Sequence, residues 1–209
     1  AMDYMRKIWI ELGFTEMEGS MIQTSFWNMD TLYTPQDHPA RELQDTFYVK
    51  NPANGTLPAL AKKIKTVHEN GNGTGSTGYQ STWSEDIAKK NVLRTHTTAL
   101  SAQTLAHLRQ TDLPAKYFAI GRVFRNETMD WKHLFEFNQV EGIVVDPNAN
   151  LRHLFGYLKE FYAKLGFTKI KMVPSYFPYT EPRMEDHVWH PAKQEWNETG
   201  GAGNFRPEV

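Results

Sequence analysis

Between Ala115 and Asp146 the chain reads AKYFAIGRVFRNETMDWKHLFEFNQVEGIVVD, with chemically capable side chains recurring at two-residue spacing. Two alternating stretches, about Lys116 to Glu127 and about Leu134 to Val145, are rich in Tyr, Phe, Ile and Val. They predict β-strands joined by a short polar loop. Side chains two apart share a face, so Phe137, Gln139 and Glu141 line one side of the second strand. Arg125 and Glu127 share a face near the end of the first. An arginine, two carboxylates, an amide and an aromatic ring on neighbouring strands make a platform for a charged, flat ligand such as a nucleotide. An ordinary antiparallel pair with its charges in water gives the same alternation.

Other segments must hold that hairpin in place. Tyr4 to Leu12 carries Met5, Ile8, Trp9 and Leu12 at helical spacing, with Gly13 as the stop. Phe14 to Phe26 reads as extended, Trp27 to Leu32 as a turn or short helix, and DTFYV at Asp45 to Val49 as a strand. Leu57 to Asn70 is a basic amphipathic helix whose lysines form a solvated face. Its glycine-rich sequel, about residues 70–80, predicts a flexible loop; with no Walker lysine and no preceding strand it is no phosphate cradle. RTHTT opens a helix reaching His107, with Ala99, Ala102 and Leu105 on one face and Thr97 or Thr98 as its cap. Asn150 caps a second amphipathic helix with Leu151, Leu154, Leu158, Phe161 and Leu165 inward and Gly166 closing it. Thr168 to Val173 is a strand, and His187 to His190 with Glu195 to Glu198 form a hairpin around PAKQ. His187 and His190 then fall on opposite faces, which argues against a metal pair.

Bulk properties narrow the function classes. The 209 residues suit one domain, and 40% hydrophobic with 22% charged content is ordinary globular composition. No apolar run approaches the roughly 20 residues that span a bilayer, and no signal peptide precedes Tyr4, so no membrane partner is expected. Zero cysteine excludes disulfides and fits a reducing, cytoplasmic setting. A net charge of −1 argues against a broad electropositive surface for nucleic acid.

The wording FRNE, a loop, then HLFEFNQVEG resembles motif 2 of the class II aminoacyl-tRNA synthetases. HPARELQDTFYV at 38–49, LRTHTTALSA at 93–102, YFPYTEPRME at 176–185 and the tail GGAGNFRPEV also resemble one family, in its order: the phenylalanyl-tRNA synthetase α subunits of archaeal and eukaryotic cytosolic type. The resemblance implies an α+β fold, an antiparallel sheet flanked by helices. It makes residues 1–209 a partial catalytic domain, with a motif 1 region about 4–49 and the motif 2 hairpin about 115–146. Motif 3 has no counterpart before Val209, so the domain is expected to be incomplete at its C-terminus and weak or inactive alone.

The implied activity is phenylalanine–tRNA ligation: ATP and phenylalanine give phenylalanyl-adenylate, whose acyl group passes to tRNA(Phe). By resemblance, Arg125 is the catalytic arginine on the α-phosphate. Arg125, Glu127, His133 and Phe137 bind ATP, and His96, Thr98, Gln139, Glu141, Phe177 and Tyr179 hold phenylalanine. Glu198 and, less directly, Glu181 are candidate ligands for the Mg2+ that accompanies ATP. HPAR, with His38, Arg41 and Asp45, borders the active site; Gln44 sits where family branches vary, and Arg183 replaces a small residue common in relatives. The expected assembly is α2β2 with a β subunit that carries editing, and the first helix packs at a subunit interface. The rival readings are a non-catalytic synthetase-like module that binds an amino acid or a protein, and a class II relative for another amino acid. The arginine of the hairpin disfavours the first and the aromatics of YFPYTEP the second.

Overall fold

A computed structural model describes residues 1–42, 45–126 and 134–209. In chain order the elements are α1 (Met2–Glu11), β1 (Thr15–Glu16), β2 (Ile22–Thr24), α2 (Ser25–Asn28), α3 (Ala61–Asn70), α4 (Glu85–Lys89), β3 (Asn91–Leu93), α5 (Thr98–His107), β4 (Ala115–Phe124), β5 (Glu136–Val145), α6 (Leu151–Lys164), β6 (Ile170–Phe177), β7 (Thr180–His190) and β8 (Glu195–Phe205). The result is mixed α+β, as expected. Among the described residues the strands pair in the orders β1-β4-β5, β2-β3 and β6-β7-β8, antiparallel except where β1 runs parallel to β4.

The central ribbon is the expected hairpin, with Ala115 facing Val145 and Phe124 facing Glu136 in unbroken register. Its period-two pattern gives it two working faces. Phe118, Ile120, Val140 and Val144 point to a core built with Ile8 and Trp9 of α1, Phe161 and Tyr162 of α6, and Phe14. Gly142 is required there, because a Cβ would meet the Trp9 ring at 2.4 Å. Ala119 and Ile143 point the other way, against Leu100 of α5 and Met17. Gln139 and Glu141 share this second face.

Local signals set the helix ends. The Asn150 side chain accepts from the amides of Arg152 and His153, as its type predicts. Thr97 stands at the N-cap of α5 but makes no side-chain cap bond, because its hydroxyl is used elsewhere. Tyr162 donates to the buried Asp186 carboxylate, and its oxygen lies 2.9 Å from the Thr199 hydroxyl, fastening α6 to β7 and β8.

Three segments depart from expectation. Phe14 to Phe26 is extended only at β1 and β2, and α2 begins already at Ser25. DTFYV runs beside β3, bonded through Phe47 O and Val49 N, yet makes only an isolated bridge at Tyr48. The glycine-rich stretch is pinned at its far end: the Tyr79 ring stacks on Tyr33 at 4.5 Å, and its hydroxyl donates to the Tyr33 carbonyl at 2.5 Å. Among the described residues no helix is long and apolar enough to cross a membrane.

Candidate active site

On β5 the side chains of Phe137, Gln139 and Glu141 face the same way, opposite Val123, Gly121 and Ala119 of β4. The small partners leave the space above Gln139 and Glu141 open for α5 and the RTHTT segment. That segment is locked down by Arg94, whose buried guanidinium donates from Nε to the Arg122 carbonyl at 2.7 Å and from Nη1 to Gly19 at 3.3 Å. The Phe124 amide returns a bond to the Arg94 carbonyl at 2.9 Å.

Glu141 is the chemical centre. Its Oε2 accepts from the hydroxyls of Thr98 at 2.7 Å and Thr97 at 3.0 Å, and its Oε1 accepts from Ser101 at 2.6 Å. Gln139 completes the seat, with Nε2 3.5 Å from Glu141 Oε2 and Oε1 accepting from the Thr97 amide at 3.3 Å. Burial pushes the Glu141 carboxyl above the usual carboxylate range, while the Ser101, Thr98 and Thr97 hydroxyls pull it back. No cationic side chain among the described residues pairs with it. A desolvated carboxylate ringed by neutral donors is complementary to an ammonium group.

The β6–β7 turn supplies an aromatic wall beside this seat. Phe177 and Tyr179 meet edge to face with ring centres 4.8 Å apart. Burial, followed by the nearby Glu141 charge, raises the pKa of Tyr179. The Arg183 guanidinium sits over the Phe177 ring at 4.4 Å.

At the open end of the hairpin, Arg125 projects over the Phe137 ring at 5.2 Å, with Nε 3.4 Å from the Thr95 carbonyl. The Arg125 amide donates to Phe135 O at 3.0 Å, continuing the ladder beyond the named strands. His96 completes this end. Burial, assisted by the Arg125 charge, lowers its pKa to about 4, so the ring is neutral. Its Nδ1 is buried without a hydrogen-bond partner among the described residues. The arrangement places an anionic seat at one end and a guanidinium at the other, with aromatic rings at both ends.

The family of "tRNA synthetases class II core domain (F)" has a sequence profile that matches residues 1–209. The chain belongs to this class II synthetase core family. Curated relatives agree. The chain is 52% identical over 209 residues to the phenylalanine–tRNA ligase alpha subunit of Methanothermobacter thermautotrophicus, covering 99% of this chain and 40% of that one. It is 53% identical to the same subunit of Methanoculleus marisnigri (99% of this chain, 42% of that one) and 50% to that of Mus musculus (98% and 41%). It thus spans about two fifths of the length of these relatives.

Within this class II core, most of the sequence-predicted residues converge. Thr98, Gln139, Glu141 and Tyr179 meet at the carboxylate seat, Phe177 abuts Tyr179, and His96, Arg125 and Phe137 gather at the other end. Glu127, His133 and Gln44 lie outside the described residues. The two magnesium candidates are not brought together. Glu198 on β8 pairs with His187 of β7, whereas Glu181 lies near the start of β7 beside Arg206. Six residues of strand separate the two levels, roughly 20 Å. Among the described residues no group of three or more His, Asp or Glu side chains could hold a metal ion, so the described residues do not assemble a magnesium cage.

Arg41 of HPAR is buried: it donates to Ser25 Oγ at 2.9 Å, to Asp30 Oδ2 at 3.3 Å and to the carbonyls of Pro35 and Thr34. His38 caps its own turn through the Ala40 amide, and Asp45 offers its backbone carbonyl to the Asn126 amide at 3.2 Å. Sequence reasoning missed Thr97 and Ser101 as partners of Glu141. Their four-residue spacing, which puts both hydroxyls on one helix face, was the available signal.

Proposed function

We propose that this class II core forms the amino-acid-activating site of a phenylalanine–tRNA ligase. The observation that carries the reading is the Glu141 carboxylate, desolvated, bonded to three hydroxyls and lacking a cation among the described residues. The ammonium group of phenylalanine would supply that charge, and its ring would meet Phe177 and Tyr179, where edge-to-face contacts add roughly 0.5–1.5 kcal/mol each. Identity near 50% to phenylalanine–tRNA ligase alpha subunits across the whole chain supports the choice of amino acid.

The chemistry asks for positioning and charge stabilisation more than for proton transfer. A carboxylate oxygen of phenylalanine attacks the α-phosphorus of ATP and pyrophosphate leaves, giving phenylalanyl-adenylate. A ribose hydroxyl of tRNA(Phe) then takes the acyl group and AMP leaves. Arg125 presents a planar fork suited to bridging the attacking carboxylate and the α-phosphate. Phe137, with Arg125 over one face, offers its ring to adenine. His96, neutral at physiological pH, adds a donor without placing a second positive charge beside Arg125. Magnesium enters this reading only as the counter-ion that ATP carries. A β subunit is the expected partner, and the absence of cysteine supports a reducing, cytoplasmic setting.

The test is amino-acid-dependent exchange of pyrophosphate into ATP, measured on the full-length enzyme containing this core with its partner subunit. Phenylalanine should support exchange at least tenfold better than any other standard amino acid (about 1.4 kcal/mol). Exchange that prefers a different amino acid, or none with any, would reject the reading.

A further inference from the structure

Ser101 is fully buried in α5, and its hydroxyl donates to Glu141 Oε1 at 2.6 Å. The two threonines reach the other oxygen: Thr98 donates to Oε2 at 2.7 Å and Thr97 at 3.0 Å. Thr98 opens α5 and Ser101 follows three residues later, so their side chains share a face and grip one oxygen each. The N-terminal end of a helix favours a negative charge, so the backbone of α5 acts in the same sense as the hydroxyls.

Counting acceptor sites gives the carboxylate a direction. An ionised carboxylate offers about four lone-pair sites, divided between its two oxygens. Thr97 and Thr98 use those of Oε2, and Gln139 Nε2 stands 3.5 Å from the same atom. Ser101 uses one site on Oε1. The remaining Oε1 site has no donor among the described residues. A further donor therefore meets Glu141 at the oxygen that Ser101 holds.

We propose that Ser101 is a positioning residue for the amino acid: its bond holds Glu141 so that Oε1 meets the incoming ammonium group. The proposal rests on reading Glu141 as the seat of phenylalanine's ammonium. Fixing the carboxylate beforehand removes an ordering cost from binding. Electrostatics point the same way. Burial raises the Glu141 pKa, and Ser101 opposes that rise more than Thr98 or Thr97 does. The ionisable groups around the seat are Tyr179 and Arg183 of β6 and β7 and their turn, Arg94 over Gly121 of β4, and the neutral His96 ahead of α5. Neither arginine pairs with Glu141 among the described residues, so the hydroxyls carry the task of keeping the charge.

Pyrophosphate exchange on the full-length enzyme with its partner subunit, for wild type, S101A, E141Q and the S101A/E141Q double variant, is followed over about pH 5 to 8. S101A should raise KM for phenylalanine about tenfold, with kcat and KM for ATP held within about twofold. Because kcat/KM reports groups of the free enzyme, its acid limb for phenylalanine should move up by about half a pH unit or more in S101A. On the E141Q background the same serine change should lower kcat/KM by less than about threefold, since Ser101 acts through the carboxylate. A serine with a merely structural role would move kcat and both KM values together and leave the limb in place. Folded S101A with an unchanged KM for phenylalanine, or with an unmoved limb, overturns the proposal. Should S101A not fold, S101C, whose thiol is a weaker donor, is read by the same criterion. Wild-type enzyme that shows no phenylalanine-dependent exchange rejects the reading of the seat itself, which separates the two failures.

Discussion

Thr98 and Glu141, 43 residues apart in sequence, meet at 2.7 Å where the first turn of α5 crosses β5. The contact joins the segment after Arg94 to the hairpin and fixes the anionic seat. Glu141→Gln keeps the shape and the neutral donors but removes the charge. Phenylalanine binding should weaken by about 10- to 100-fold, the value of a hydrogen bond to a charged group, with ATP binding little changed; calorimetry on each ligand separately reads this. Because burial raises the Glu141 pKa, its stabilising contribution is full below the ordinary glutamate value and is lost as pH rises through the raised one. Wild-type stability relative to E141Q should therefore decline over that window in thermal unfolding. Equal phenylalanine affinity in the two proteins would remove Glu141 from the site.

His96 gives an independent pH signature. Its pKa falls to about 4 from an ordinary value of 6.5, so the folded ring is neutral while the unfolded ring takes a proton across that interval. The depressed value contributes stability that is present above 6.5 and lost as pH falls towards about 4. The His96 ring resonances in NMR should stay at their neutral positions from pH 8 to about pH 5. Titration near the ordinary histidine value would contradict the buried placement beside Arg125.

Asp30 and Arg41 form a buried pair, with side chains 0% and 5% exposed. Asp30 Oδ1 also accepts from Trp83 Nε1 at 2.7 Å and Gln36 Nε2 at 3.0 Å, and its carbonyl bonds to His68 Nε2 at 2.7 Å. Arg41→Met strands the Asp30 charge, and breaking a buried pair by one partner costs about 3–5 kcal/mol. Denaturant unfolding should show a loss of that size, with an unchanged slope. A loss below about 1 kcal/mol, the range of an exposed pair, would show that the pair is not buried in solution.

Legibility in the sequence followed the range of the interactions. The hairpin was readable because period-two alternation is local, and α6 because a cap, an apolar stripe and a closing glycine lie within one segment. The strand expected at DTFYV was not delivered, since its bonds to β3 depend on where a distant segment passes. The burial of Arg41 was illegible for the same reason: nothing near it in sequence announces that Asp30 and Ser25 will bury it. Resemblance to the synthetases indicated which residues meet, but not Ser101. The separation of Glu181 from Glu198 is set by the register of β7 against β8, which composition does not encode.

The most direct measurement is calorimetric titration of this chain with a non-hydrolysable phenylalanyl-adenylate analogue, for wild type, R125A and E141Q. The analogue spans both ends of the site. The account expects wild-type binding, weakened more than tenfold (about 1.4 kcal/mol) by each substitution. Binding that neither substitution affects would contradict a site built on the β4–β5 hairpin.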